Sequence, residues 1–317
     1  MNDFCGFGEL LVDFTPAGAG GEMLFAVNPG GGVANMTAML AKLGGGASFV
    51  GKVGDDAFGR FLEKALVEAG VEARGLVKDP AYLTTLAIVS LSESGERDFS
   101  FYRKEGADLM LAWEEVNRAI IDEARVFHFG AVSLSDEPCR TTTRLAVEYA
   151  KARGKIISFD PNYRRFLWKS EAEAKAEIAR LAPLADIIKV SQEELRFLVG
   201  AEDPEEGSRA LAESGAAIAL VSLGERGAFF RCARGSGRVK APPVKAVDTT
   251  GAGDAFLGAV HYCLRGKSLE ELRDISPQEL ARAVSFACAA GSLTATRKGG
   301  IPAMPTLAEI GLVRQLG

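Results

Sequence analysis

The sequence predicts an α/β fold built on a doubly wound, mostly parallel sheet flanked by helices, and three observations carry the prediction. Short apolar runs of strand length alternate with helical patterns over most of the 317 residues. Glycines stand just past five of the helical patterns, where a left-handed residue closes a helix. Two further stretches break the alternation with a period of two, which marks strands of a different kind.

Taken in chain order, Phe4–Leu11, Ala47–Val50, Val126–Phe129, Ile156–Phe159, Ile187–Val190 and Ile218–Val221 read as buried parallel strands. A strand covered on both faces has no polar face to present, so it reads as a continuous apolar run. The helical patterns between them are Val33–Leu43, Phe58–Glu68, Thr141–Arg153, Glu171–Leu181, Glu193–Val199 and Pro204–Glu213, and Gly44, Gly70, Gly154, Gly200 and Gly215 close five of them. Phe14–Val27 and Thr84–Tyr102 alternate apolar with polar residues and carry turn signals such as Ser94-Gly95. They predict antiparallel strands outside the main sheet. The expectation is one domain over residues 1–317, with insertions at about 14–28 and 84–105 forming a small β lid over the strand ends where open α/β sheets bind ligands. An edge extension with no role in binding is the competing reading. Phe7, Phe25, Phe99 and Phe101 are expected in the lid core, with dimer contacts through the lid as the alternative.

Composition narrows the function. A net charge of −5, with 47% hydrophobic and 25% charged residues, gives no sequence-independent grip on nucleic acid. Cys5, Cys139, Cys232, Cys263 and Cys288 are scattered without a CxxC pair, as reduced thiols of a cytoplasmic protein would be. Two histidines leave little for a metal site or a triad, and His128, inside Val126–Gly130, reads as a satisfied strand histidine. No signal pattern opens the chain and no apolar run reaches membrane length, so the cytoplasm is the expected compartment.

The chemistry concentrates in Asp248-Thr249-Thr250-Gly251-Ala252-Gly253-Asp254-Ala255-Phe256. Val244 and Val247 precede it in an extended-looking stretch, while Phe256, Leu257, Val260 and Leu264 follow at helical spacing. Gly251, Ala252 and Gly253 therefore fall at a helix start, where bare N–H groups and the helix dipole form a site for a phosphate or developing oxyanion. Asp254 beside such an anion hole can take the proton of an attacking hydroxyl. The plain alternative is that Asp248 or Thr250 caps the helix and the glycines only turn the chain.

Other segments join this one. Gly30, Gly31 and Gly32 precede a helix carrying Asn35, so a polar ligand can approach the backbone and meet an amide; a purely structural turn fits the same residues. Asp13, at the end of the first predicted strand, can take two hydrogen bonds from vicinal sugar hydroxyls, or form a turn. Asn162 and Arg164 follow another strand, and a guanidinium suits transferring phosphate oxygens; a surface arginine is the alternative. Ser191 is a natural N-cap with Glu194 at the capping-box position, and Glu194 can also hold Mg²⁺ through water. Ser222, Gly224 and Gly227 make a turn that admits a nucleotide phosphate but is equally a hairpin turn.

In order, these segments resemble the ribokinase-type (PfkB) carbohydrate kinase family along essentially the whole chain, and within it the fructokinases. Gly30–Asn35 resembles the family's N-terminal signature and Asp248–Phe256 its C-terminal one. Gly8–Asp13, Gly51–Asp56, Phe101–Arg103, Gly106–Asp108, Asp160–Arg164 with Leu167-Trp168, and Lys189–Ser191 resemble the fructokinase subgroup. The resemblance implies a ribokinase-like fold and transfer of the ATP γ-phosphate to a sugar hydroxyl, with Asp254 as base and the Gly251–Gly253 amides as anion hole. It implies that Asp13, Gly30, Gly31, Asn35 and Arg103 hold the sugar and that Arg164 faces phosphate. Ser222, Gly224 and Gly227 would border the nucleotide, with Cys288 and Gly291 near adenine. Mg²⁺ would approach Glu194, although relatives have asparagine where this chain has Ser191. Asp248, Thr250, Thr294, Arg297 and Gly299 or Gly300 match the positions at which relatives bind a potassium-like ion, but Ala303 stands where some have serine.

The leading expectation is thus a Mg-ATP-dependent sugar kinase acting on the terminal hydroxyl of fructose. A 2-keto-3-deoxygluconate kinase, or another sugar or nucleoside kinase, is the alternative within the class. A non-catalytic nucleotide or sugar sensor on the same fold is the alternative outside it. A dehydrogenase is disfavoured because GxGxxG is missing.

Overall fold

The run predicted as one strand from Phe4 to Leu11 divides in two. The computed structural model describes residues 3–17, 24–91 and 97–316. In it β1 (Phe4–Phe7) stops at Gly8, and the chain crosses into β2 (Leu11–Pro16), which belongs to a different sheet. Then follow β3 (Phe25–Gly30), α1 (Gly32–Lys42), β4 (Ala47–Gly54), α2 (Ala57–Glu68), β5 (Glu72–Asp79), β6 (Leu86–Leu91) and β7 (Arg97–Tyr102). The middle of the chain forms α3 (Arg118–Glu123), β8 (Val126–Gly130), α4 (Cys139–Ala152), β9 (Ile156–Asp160), α5 (Glu171–Leu181), β10 (Ile187–Ser191), α6 (Gln192–Val199) and α7 (Pro204–Glu213). The last third adds β11 (Ile218–Ser222), β12 (Ala228–Cys232), β13 (Gly235–Val239), α8 (Ala252–Leu264), α9 (Leu269–Arg273), α10 (Pro277–Thr294) and α11 (Leu307–Leu316).

Nine strands form the main sheet in the order β13-β12-β11-β10-β9-β8-β1-β4-β5. It is parallel from β5 to β11, and an antiparallel β12–β13 hairpin extends one edge. Chain order reverses between β1 and β8, which opens a crevice at the carboxyl ends of those strands. Alternate side chains feed opposite cores. Phe4 and Phe49 pack with α1, α8 and α10, whereas Cys5, Phe7 and Val50 pack with α4, α5 and α6. Phe7 is fully buried in that second core, not in the small sheet where it was expected, because the strand carrying it ends before the chain crosses over.

The small sheet has the order β3-β2-β6-β7. Its two hairpins are antiparallel, and β2 and β6 join them side by side in parallel. Phe14 meets Phe25 and Phe58 edge to face, at 6.3 and 5.7 Å between ring centres, which seats the sheet on α2. The Ser94-Gly95 turn and the Phe99 side chain lie outside the described residues. Val244 and Val247 form no strand: both are exposed in the loop leading to α8, where no neighbouring strand offers hydrogen bonds. Among the described residues, no helix is long and apolar enough to cross a membrane.

Candidate active site

The start of α8 faces the crevice. Gly251 takes a left-handed conformation (φ 77°) at the N-cap, and no side chain caps the helix. Asp248 turns the preceding loop instead: Thr250 N–H donates to its Oδ1 at 2.8 Å and Gly299 N–H to its Oδ2 at 3.2 Å. Ala252 N–H donates back to Thr249 O at 3.2 Å, so of the three amides expected to form an anion hole, one is already engaged. Gly251 and Gly253 line a cavity of about 430 Å³. A side chain at residue 253 would stand 3.2 Å from Lys189 Nζ, so glycine there lets the ammonium and the helix start share one space.

Asp254, in the first turn of α8, lines the same cavity. Asn35, buried on α1, donates from Nδ2 to Asp254 Oδ2 at 2.9 Å. Burial pushes the Asp254 carboxyl above its ordinary range, against the opposing pull of Lys189, Asn35 and Arg164. Lys189 is itself buried and pairs with Asp160 at 2.8 Å. Burial draws its ammonium down, but Asp160, Glu194 and Asp254 outweigh that and hold it charged. Lys189 was not among the expected functional residues, although a lysine inside the apolar run Ile187–Val190 is itself a signal, since unpaired lysines are almost never buried.

Opposite Asp254 the wall carries acceptors. Asp13 lines the cavity from β2, inside the small sheet and not at the end of a main-sheet strand as expected. Burial lifts its carboxyl to about 7, against the charge of Arg164. A Cβ at residue 30 would fall 2.1 Å from Asp13 Oδ2, and at Gly31 (φ 111°) one would fall 2.4 Å from Glu9 O, so both close approaches need glycine. Glu9 was also missed as a site residue. It is buried, lines the cavity, and accepts from Gly32 N–H at 2.7 Å. Asn162, in a left-handed conformation (φ 45°), and Arg164 complete this wall.

The remaining expected residues divide. Arg103 is absent from the cavity lining: its guanidinium is buried against Asp108 (Nε to Oδ2 2.8 Å), Ser135 Oγ (2.7 Å) and Val132 O (3.2 Å). Glu194 forms the capping box with Ser191, and its oxygens accept Ser191 N–H and Tyr163 N–H at 2.7 Å each. Ser222 and Gly224 line a second cavity of about 630 Å³ beside α6, which meets the first at Ser191 and Ser222. Gly227 lies outside both linings, and a Cβ there would strike Val239 O at 2.0 Å, so it serves the turn. Cys288 is a buried α10 residue whose thiol burial pushes up to about 12, and Gly291 lets α10 approach Ala252 O of α8. Thr294 is buried and bonds Ala290 O, Arg297 pairs with Glu309, and Ala303 is buried. Gly299 and Gly300 close on Asn28 and Asn35, which brings this segment beside the Asp248–Gly251 loop.

Known proteins share this architecture. The pfkB family carbohydrate kinase model matches residues 1–307. Fructokinase-1 of Zea mays is 43% identical over 309 residues, covering 96% of this chain and 95% of its own. The crystal structure of fructokinase with bound ATP from Xylella fastidiosa superposes with a TM-score of 0.90 at 33% identity, covering 99% of this chain and 98% of that one. A double mutant of fructokinase from Vibrio cholerae O395, in fructose, ADP and potassium ion bound form, gives 0.88 at 33% identity over the same shares.

Proposed function

This chain belongs to the pfkB family of carbohydrate kinases, and we propose that it is an ATP-dependent fructose kinase that phosphorylates the terminal hydroxyl of the sugar. The observation that carries the reading is Asp254: a half-buried carboxylate, held by Asn35, in the first turn of a helix whose glycine start shares its cavity. Fructose occupies the space between Asp13, Gly31, Asn35 and Asp254, with the hydroxyl to be phosphorylated against Asp254. Asp254 takes the hydroxyl proton as the oxygen attacks, while the Gly251 and Gly253 amides, Lys189 and Arg164 bear the charge gathering on the phosphoryl group. The nucleotide lies along the adjoining cavity past Ser222 and Gly224, which meets the sugar space at Ser191 and Ser222.

Mg²⁺ neutralises the ATP phosphates when bound. Among the described residues no group of three or more acidic, histidine or cysteine side chains could hold a metal alone, which fits an ion that arrives with phosphate and keeps its water. Glu194, with both oxygens already steering backbone amides, would reach it through that water. A potassium ion beside the Asp248 and Gly299 loops would fix the helix start.

A sugar acid such as 2-keto-3-deoxygluconate would bring its carboxylate toward Glu9, Asp13 and Asp254, which disfavours that substrate. The small sheet acts as a lid on one kinase domain. Exposed Leu24, Val27 and Tyr102 offer it a surface for pairing two copies, which the mass of the purified protein would test. Four of the five cysteines are buried, which accords with work in the cytoplasm.

The test is ADP release with Mg-ATP and fructose, ribose, 2-keto-3-deoxygluconate or adenosine, run beside Asp254→Ala. Turnover with fructose that the variant loses supports the assignment. Turnover with another member moves the substrate and keeps the mechanism, and binding without any turnover favours a sensor.

A further inference from the structure

The cavity contains a carboxylate that takes no part in the phosphoryl transfer described above. Glu9 is 3% exposed and spends one oxygen on Gly32 N–H at 2.7 Å, the amide of the first residue of α1. Its second oxygen, Oε2, is buried without a hydrogen-bond partner. Few buried side-chain atoms among the described residues share that condition, and one of them, Asn35 Oδ1, lines the same cavity. A buried acceptor without a donor costs free energy, and two of them on residues that line one cavity call for a ligand that brings donors.

Resting on the fructose kinase reading, we propose that Glu9 is a specificity-determining residue whose Oε2 accepts a hydrogen bond from a non-reacting hydroxyl of the sugar. The geometry suits the role. The Gly32 amide holds one carboxylate oxygen, and while burial lifts the Glu9 carboxyl to about 7, the charge of Arg103, locked by Asp108 and Ser135, opposes that rise. The ligand class follows: a neutral polyol with adjacent hydroxyl donors, in preference to a deoxy sugar lacking the matching hydroxyl. Sites built to hydrogen-bond a hydroxyl reject the analogue without it, because their own buried polar group is then left unpaired.

The test compares the wild type with Glu9→Gln, which keeps an oxygen for Gly32 N–H and replaces Oε2 by an NH₂ donor. Initial rates are taken on fructose and on 1-deoxy-, 3-deoxy- and 4-deoxyfructose. The KM for fructose is expected to rise about 10- to 100-fold in the variant, with the KM for ATP and the melting temperature unchanged. One deoxy analogue is expected to be penalised in the wild type and not further in the variant, which identifies the hydroxyl. Equal penalties for all three analogues in both proteins would overturn the proposal and leave Glu9 as an anchor for Gly32. So would a joint loss of kcat, ATP affinity and melting temperature. If the wild type turns over a different sugar, the fructose assignment falls, and the same comparison with that sugar's deoxy analogues still decides the role of Glu9.

Discussion

Asp254 and Asp13 are both half-buried carboxylates lining one cavity, and neutralising them is expected to act on different quantities. Burial raises the Asp254 carboxyl, and only its ionised form accepts a proton, so kcat/KM is expected to fall with decreasing pH from a point above the ordinary aspartate range. A pH–rate profile checks this. Asp254→Asn should lower kcat by about 10²- to 10⁴-fold while leaving the melting temperature level or higher. Asp13, lifted to about 7, carries a stability cost that is easy to sign. Between the unfolded value of 3.8 and about 7 the folded protein holds the proton more tightly. That contribution is complete below the lower value and is lost as pH rises through the upper one. Asp13→Asn, neutral at every pH, should therefore melt a few degrees above the wild type at pH 8, by about 1–2 kcal/mol, and close to it at pH 4. The same change should raise the KM for the sugar. Thermal melts of the ligand-free protein at the two pH values would check the sign, and an equal gain at both would refute it.

At the scale of elements, the site depends on how closely α1 and α8 approach. A Cβ at Gly258 would lie 2.6 Å from Met36 O and 2.8 Å from Met39 Cβ, so glycine is what permits the contact. Gly258→Ala should cost about 1–3 kcal/mol and draw Asp254 away from Asn35, lowering kcat more than the KM for ATP. A denaturant titration beside steady-state kinetics separates the two effects. No periodicity announces such a glycine, which sits unremarked inside an apolar helix, and this marks the limit of what the sequence disclosed. The helix Pro204–Glu213 and the strand Ile187–Val190 were legible because apolar period and closing glycine depend on local residues. The split of Phe4–Leu11 was not, since both halves are apolar and only the second sheet separates them. Asp254 and Asn35 stood out as candidates in short motifs, whereas their 2.9 Å contact joins residues 219 apart. Arg103 was misread for the same reason: its partners Asp108 and Ser135 converge only in the fold.

Across the whole molecule, two bodies meet over the crevice, and the main sheet alone does not enclose it. Phe101, on β7 of the small sheet, lines the cavity that holds Asp254 and stacks on Phe166 of the loop after β9, with ring centres 5.0 Å apart. Phe166 is half exposed, and this stack is one contact between the small sheet and the body. Such a pair contributes about 0.5–1.5 kcal/mol beyond the area it buries. On the lid reading proposed above, that is too little to hold the small sheet closed without sugar, but enough to shift a balance between open and closed forms several-fold. Phe101→Ala should therefore raise the KM for the sugar about 5- to 20-fold and leave the melting temperature nearly unchanged. It should also admit water, which competes with the sugar hydroxyl for the transferring phosphoryl group. Sugar-independent ADP release should then become a larger fraction of total turnover. Measuring ADP and sugar phosphate in the same reaction gives the ratio directly. A ratio of one in both proteins, with only the KM changed, would make Phe101 a sugar contact and deny the small sheet a part in excluding water.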